Sequence, residues 1–376
     1  MTSSDSHHTL VLPFDSSTYP NPAPILPTIY RTFFSLPVSA THFTVLFASS
    51  TEYDDQLYLD LKRSPKAHWD GFQRFLGRVY ACLAAAQWTA ERIMLDVEVA
   101  FVGESAQVTQ EGSHVIVIED HEHLAQCASG STGSPTVVPC HTLDKHASRV
   151  HLDPSSAGPP VVALGGTFDH LHAAHKLLLH LALFLSSRKL IVGVMADRLL
   201  ASKSNASFVQ SLKDRVTVIE GFLLRRGAYK LDGSSPTMQQ NGAVQMDVVE
   251  IFDGYGPTAW DDDIQALVVS QETLGGGKAV NKLRGEKELP LLDIFVIDVI
   301  ASRLEVPESE EGGAVVPVEE ESDEEEERRG KIHVRIGHEV RTLDLSGEKD
   351  EQRLKELKMG STAIRQWIAD RRKESD

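Results

Sequence analysis

Two histidines three residues apart, His172 and His175, stand directly after the turn Gly165-Gly166-Thr167-Phe168-Asp169. At that spacing their rings share one face of a helical turn, and both can donate hydrogen bonds to a group that is gaining negative charge. The glycines let the backbone approach a ligand with no Cβ in the way. A helix that begins here aims its unpaired N–H groups and positive dipole end at the same place. Phosphate is the guest such a site suits. A lone histidine at a helix start is usually a cap or a surface residue; the combination with the glycine turn is what points to chemistry.

The turn needs a strand before it and a helix after it. Val161 to Leu164 reads as a buried strand, and the leucine-rich Lys176-Leu177-Leu178-Leu179 as a helix. Apolar runs at Val161–Leu164, Leu190–Val194, Val248–Phe252, Ala266–Val269 and Ile294–Ile300 alternate with helical segments. This predicts an α/β domain over residues 159–376, with a parallel sheet covered on both faces and its ligand site at the carboxyl ends of the strands. Residues up to about Pro27 are polar and proline-rich and are expected to be irregular. Beyond them, strands at Thr41–Ala48, Leu95–Val102 and His114–Glu119 and a helix at Trp69–Ile93 predict a smaller α/β or α+β domain within 1–127. No catalytic constellation stands out there, and Glu119-Asp120-His121-Glu122-His123 reads as a solvated turn. The segment 128–158, rich in glycine, serine and threonine at its start, is expected to be a linker.

Further motifs make the pattern specific. Ala196-Asp197 at a strand end is followed by Lys203 and by Lys213-Asp214-Arg215-Val216. Next come Asp253-Gly254-Tyr255-Gly256-Pro257, then Leu267-Val268-Val269-Ser270-Gln271-Glu272-Thr273, and then Gly275-Gly276-Gly277 leading to Asn281 and Arg284. Gly360-Ser361-Thr362-Ala363-Ile364-Arg365 closes the series. Together with the histidine turn, these resemble in order the motifs of the phosphopantetheine adenylyltransferases of eukaryotic and fungal type, within the HxGH nucleotidyltransferases. The resemblance covers Pro160 to Asp376. Ala174 replaces the glycine of the superfamily's HxGH, an alanine form that the eukaryotic branch resembles; the chain departs from the family pattern in Gly254, where proline is commoner, and in Gly360, in place of the first serine of ISSTxIR.

The resemblance implies a Rossmann-like nucleotidyltransferase domain that transfers the adenylyl group of ATP to 4′-phosphopantetheine in coenzyme A biosynthesis, with magnesium arriving on the nucleotide. His172 and His175 are the implied catalytic pair. Thr167 and Lys203 would hold the acceptor phosphate. ATP would lie against Gly165, Gly166, Phe168, Asp169, Ser270, Glu272, Arg284, Ser361, Thr362 and Arg365, with no dedicated metal ligand from the protein. Plainer alternatives stand beside several of these: a helix cap for Ser361 and Thr362, a turn-orienting role for Asp169, a surface salt bridge for Arg284. Another HxGH nucleotidyltransferase, specific for FMN, nicotinamide mononucleotide or a cytidylyl acceptor, would share the histidine turn. A nucleotide-binding scaffold that recruits other enzymes of coenzyme A synthesis is the reading from a different class. No GxxxxGK[ST] phosphate loop occurs in the chain, so the later phosphorylation of coenzyme A synthesis is expected to be done elsewhere.

Composition narrows the partners. The chain of 376 residues carries a net charge of −17, and twelve acids lie between Glu305 and Glu327 with no basic residue among them. An insertion over 305–330 is therefore expected to be disordered and solvated, or to serve as a tail for a basic partner. Nucleic acid is disfavoured as a partner because a polyanion would meet a negative surface. No apolar run is long enough for a bilayer, and the start of the chain resembles neither a secretory nor a mitochondrial leader, so a cytoplasmic protein without a membrane role is expected. Cys82, Cys127 and Cys140 are scattered, which favours reduced thiols over disulfides or a zinc site.

Overall fold

The computed structural model describes residues 6–49, 57–105, 112–128, 133–140, 143, 157–231, 243–297, 303–305, 331–336, 339–344 and 360–375. Two five-stranded parallel sheets organise it. The first contains β1 (Ser6–Pro13), β2 (Ala40–Ala48), β3 (Asp96–Phe101), β4 (His114–Ile118) and β5 (Thr136–Val138), in the order β3-β2-β1-β4-β5. The second contains β6 (Val161–Gly166), β7 (Lys189–Met195), β8 (Gln245–Ile251), β9 (Ala266–Ser270) and β10 (Asp293–Ile297), in the order β10-β9-β6-β7-β8. Counted from its own first strand, each sheet has the order 3-2-1-4-5, in which the strand order reverses beside the first strand and leaves a crevice at the carboxyl ends. The helices are α1 (Leu26–Ser35), α2 (Leu57–Arg63), α3 (Trp69–Thr89), α4 (Ala173–Leu185), α5 (Leu212–Arg225), α6 (Leu274–Glu286) and α7 (Ser361–Ser375). A small antiparallel sheet of β11 (Arg303–Glu305), β12 (Lys331–Ile336) and β13 (Glu339–Asp344) precedes α7.

The five strands expected in the second domain form where their apolar runs lie. In the first domain and the segment after it four expectations change. The segment before Pro27 is irregular only in part: residues 14–22 form turns, but Ser6–Pro13 is the central strand, with Leu10, Val11 and Leu12 fully buried. Buried on both faces, it shows no polar alternation, and its apolar stretch is short and flanked by polar residues. Thr136–Val138, inside the stretch expected to be a linker, is an edge strand that owes its existence to pairing with β4. The alternative of an α+β domain gives way to a parallel α/β one. The helix beginning at Trp69 stops at Thr89, four residues short of Ile93. Glu91 turns left-handed at φ +52°, and the buried Gln87 amide donates to the carbonyls of Ile93 and Leu95 at 3.2 and 2.7 Å. Of the acidic insertion only Glu305 is described, in β11; residues 306–330 lie outside the described residues. All three cysteines are free thiols.

The two sheets share one core. α3 of the first domain packs on α4 of the second, with Phe72 stacked on Phe184 at 4.1 Å and Tyr58 beside both. A charged cluster runs through the same interface. Lys176, His180 and Arg226 of the second domain are buried against Glu98 and Glu104 of the first, with partly exposed Asp96 at the edge. Lys176 pairs with Asp96 and donates to the Val97 carbonyl at 2.8 Å. His180 pairs with Glu104, and Arg225 and Arg226 both reach Glu98, Arg226 at 3.1 Å. Gly227, at φ +80°, lies so close that a Cβ there would stand 2.0 Å from the Glu104 carbonyl oxygen.

Burial alone would raise the Glu98 carboxyl, but the charges of Arg226, Lys176 and Arg225 outweigh it and hold the group below the usual range. Burial opposes ionisation of Glu104 in the same way and is overcome by His180, Arg226 and the Phe101 N–H. A carboxyl lowered in the folded state adds stability above its unfolded pKa and loses it as pH falls toward the folded value. The melting midpoint is therefore expected to drop on the acid side, below the ordinary glutamate value of 4.5. Circular dichroism melts from neutral pH downward check this, and Glu104→Gln should make the acid limb less steep.

Candidate functional site

A cleft of about 1290 Å³ opens at the carboxyl ends of the second sheet. Its position follows from strand pairing. β6 stays in register with β7 as far as Gly166↔Val194, but pairs with β9 only at Val162↔Ala266 and Ala163↔Leu267. Beyond Ala163 the neighbours part, and the glycine turn faces the gap. Gly166 is closely packed, since a Cβ would come within 3.1 Å of the Phe168 ring and the ring would have to give way.

The turn is conformationally demanding. Phe168 and His170 both have positive φ, +53° and +46°, which costs energy in a residue with a side chain and persists only when the surroundings impose it. Asp169, fully buried, supplies much of that constraint. Its carboxylate accepts from the Gln210 N–H at 2.9 Å and from Arg365 Nη1 at 2.5 Å, while its carbonyl accepts from Ser361 Oγ at 2.7 Å. His170 completes the lock: its N–H donates to Gln210 Oε1 at 2.7 Å, and its Nε2 lies 2.8 Å from the Phe208 carbonyl.

After this turn His172 takes the N-cap position of α4, and His175 lies in the first helical turn. Their rings stack with centroids 3.9 Å apart, and Phe168 packs on His175 at 5.2 Å. His172 Nε2 lies 3.5 Å from Ser361 Oγ, so the start of α7 reaches the histidine pair. Arg365, one turn on, donates to Thr362 Oγ1 at 3.1 Å and to the Ser204 carbonyl at 3.0 Å, which draws α7 onto the segment after Lys203.

The cleft brings together Gly165, Gly166, Thr167, Phe168, His172, His175, Lys203, Ser270, Glu272, Ser361, Thr362 and Arg365 from distant parts of the chain. Two expected nucleotide contacts stand elsewhere. Asp169 is turned inward, consistent with the alternative of orienting the turn. Arg284 is fully buried, neither a surface salt bridge nor at the cleft: its Nε donates to the Pro290 carbonyl at 2.6 Å and its Nη1 to those of Thr258 and Asp261 at 2.8 and 2.9 Å. The loop it holds includes Tyr255, Pro257 and Thr258, which do line the cleft.

Arg215 carries a role that sequence reasoning did not assign. Fully buried, it donates to the carbonyls of Thr167 and Met195 at 2.7 and 2.9 Å and pairs with Asp197 at 2.5 Å, tying the turn to the end of β7. Its signal was present in the Lys213-Asp214-Arg215-Val216 motif. A second group lacked one: Tyr80, Ala81, Ala84 and Trp88 of α3 line the cleft from the first domain. Asp253 turns its carboxylate back onto the N–H groups of Gly256 and Tyr255 at 2.7 and 2.9 Å, and these hold it below the usual range. Among the described residues no three His, Cys, Asp or Glu side chains are grouped to hold a metal ion, and no helix is long and apolar enough to cross a membrane.

A family model described as cytidylyltransferase-like matches residues 163–303. The chain is 32% identical over 177 residues to the phosphopantetheine adenylyltransferase of Saccharomyces cerevisiae, covering 46% of this chain and 53% of the relative. It is 38% identical over 140 residues to an uncharacterized protein of Schizosaccharomyces pombe, covering 37% of this chain and 40% of the relative. The phosphopantetheine adenylyltransferase of Methanopyrus kandleri is 32% identical over 139 residues, which are 37% of this chain and 78% of that protein. The chain thus spans 53% and 40% of the length of these fungal relatives, and 78% of the Methanopyrus protein.

Proposed function

The chain belongs to the phosphopantetheine adenylyltransferase family, and on that premise we propose that it transfers the adenylyl group of ATP to 4′-phosphopantetheine, giving dephospho-coenzyme A and pyrophosphate. A phosphate oxygen of the acceptor bonds to the α-phosphorus of ATP, and the bridging bond from that phosphorus toward the β-phosphate breaks, its electrons leaving with pyrophosphate. In-line transfer of this kind asks for positioning and charge stabilisation, with no protein nucleophile. The observation that carries the proposal is convergence: the glycine turn, the stacked histidine pair and the start of α7 meet in one cleft at the point where the strand order reverses.

In this scheme His172 and His175 steady the α-phosphoryl oxygens and the departing pyrophosphate. Thr167 and Lys203 hold the attacking phosphate; Ser361, Thr362 and Arg365 take the β and γ phosphates at the start of α7. Ser270 and Glu272, at the end of β9, face the base or ribose. Magnesium would travel on the nucleotide phosphates, which can hold it without a carboxylate cage from the protein.

The purified chain with ATP and 4′-phosphopantetheine is expected to release pyrophosphate and form dephospho-coenzyme A in equal amounts, followed by a coupled pyrophosphate assay and chromatography. CTP in place of ATP tests the nucleotide preference that the cytidylyltransferase-like match leaves open. Tight ATP binding with no pyrophosphate from any acceptor would replace the proposal with a scaffold role.

A further inference from the structure

The first domain repeats the strand order of the second, and its first strand ends in a related turn. Pro13-Phe14-Asp15 stands where the second domain has Thr167-Phe168-Asp169, and in both the phenylalanine and the aspartate are buried. The chemistry has not been kept. Three and six residues after the aspartate, where the second domain has His172 and His175, the first has Thr18 and Asn21. Thr18 is fully buried and donates to the Pro13 carbonyl at 2.9 Å. Around the turn, Phe14 packs against Tyr19 at 5.5 Å and Phe101 at 4.8 Å, with Phe75 beside them at 5.4 Å. Aromatic rings thus fill the edge of this sheet that is a cleft in the other.

Besides the α3 residues that line the cleft, the first domain contributes a grip on α4. Lys176 directly follows His175 and lies on the same helical row as His172 and His180, each four residues from the next. Lys176 is buried between Asp96, the Val97 carbonyl and Glu98, whose oxygen is 4.0 Å away. One turn on, fully buried His180 pairs with Glu104, which is itself fixed by the Phe101 N–H at 3.1 Å. Glu98 is anchored from the far side by Arg225 and Arg226. The helix is therefore held along two turns by carboxylates of the first domain, and the turn that projects beyond the grip carries the histidine pair.

We infer that Lys176 and His180, with Asp96, Glu98 and Glu104, are positioning residues for the histidine pair, and that orienting α4 is the task of the first domain. The inference rests on the proposed transfer for its kinetic consequence but not for its geometry. Charged groups buried in a pair keep their direction because any other arrangement leaves an unpaired charge in the interior. A displacement of about 1 Å at reacting groups can cost about 100-fold in rate.

The test uses the full chain. Lys176→Met should lower kcat about 10-fold or more with the KM for ATP changed less than about twofold, and Lys176→Arg should recover most of the loss. The carbon-bound proton resonances of the His172 and His175 rings should move in the methionine variant and return in the arginine one. Asp96→Asn repeats the test from the other domain at a partner that is about one-third exposed, so it remains informative if Lys176→Met fails to fold. Unmoved ring resonances and unchanged kcat in a folded Asp96→Asn or Lys176→Met protein overturn the inference. A wild-type chain that forms no dephospho-coenzyme A overturns the proposed reaction alone, because the ring resonances report the grip without turnover.

Discussion

His172→Ala is expected to lower kcat by about 10²–10³-fold, the loss typical of removing one donor that meets charge developing in a transition state. The Kd for ATP should change far less. The asymmetry follows from where the ring sits. His172 stands at the N-cap position of α4 and stacks on His175 at 3.9 Å, beside the glycine turn and within reach of Ser361. In the proposed reaction the ground-state nucleotide would have other anchors, the backbone of the turn and the start of α7. Extra charge would collect beside the rings only as the bond to pyrophosphate breaks, so most of their contribution is expected at that moment. His175→Ala should behave alike, and the double variant should lose less than the product of the single losses, because the stacked rings act as a unit. Steady-state pyrophosphate release and calorimetric ATP binding separate the two quantities. A large rise in Kd with unchanged kcat would move the pair from the transition state to ground-state binding.

The parts of this site that could be read from residue order are those written locally. A glycine turn, a histidine three residues from another and hydroxyls ahead of an arginine each lie within a few positions, and each found its place in the cleft. The strands of the second sheet were legible because their apolar runs are short, bounded and spaced by helices. β1 was not, since a strand buried on both faces carries no alternation and its neighbours in the chain are polar. The grip on α4 left no local trace at all: Lys176 and Asp96 are 80 residues apart, and Arg226 and Glu98 are separated by 128. A charged residue in a chain says that it needs water or a partner, not which partner. Asp169 and Arg284 show the same limit. Both sit in motifs that suggest ligand contact, and both are spent on the protein's own backbone and side chains.

Arg365 sits between these two cases, and separating its roles is the second large effect expected. It is buried, its Nη1 bonded to Asp169, yet it also lines the cleft. Arg365→Met leaves the Asp169 carboxylate buried without the guanidinium, its remaining basic neighbour being the His170 ring at 3.8 Å, and a loss of about 3–5 kcal/mol of stability is expected from breaking such a pair. Asp169→Leu alone should cost a similar amount by stranding the guanidinium. Combined, the two changes remove both charges and replace them with apolar groups of comparable size, so the double variant should recover much of the stability that either single change loses, a coupling visible in a denaturant double-mutant cycle. Activity should not follow. If Arg365 also meets the phosphates of ATP, the refolded double variant keeps a raised KM for ATP and a reduced kcat, because neither leucine nor methionine can offer the donors the guanidinium supplied. Recovery of activity together with stability would instead make Arg365 a clasp between α7 and the turn, and would leave Ser361 and Thr362 to hold the phosphates with the helix terminus alone.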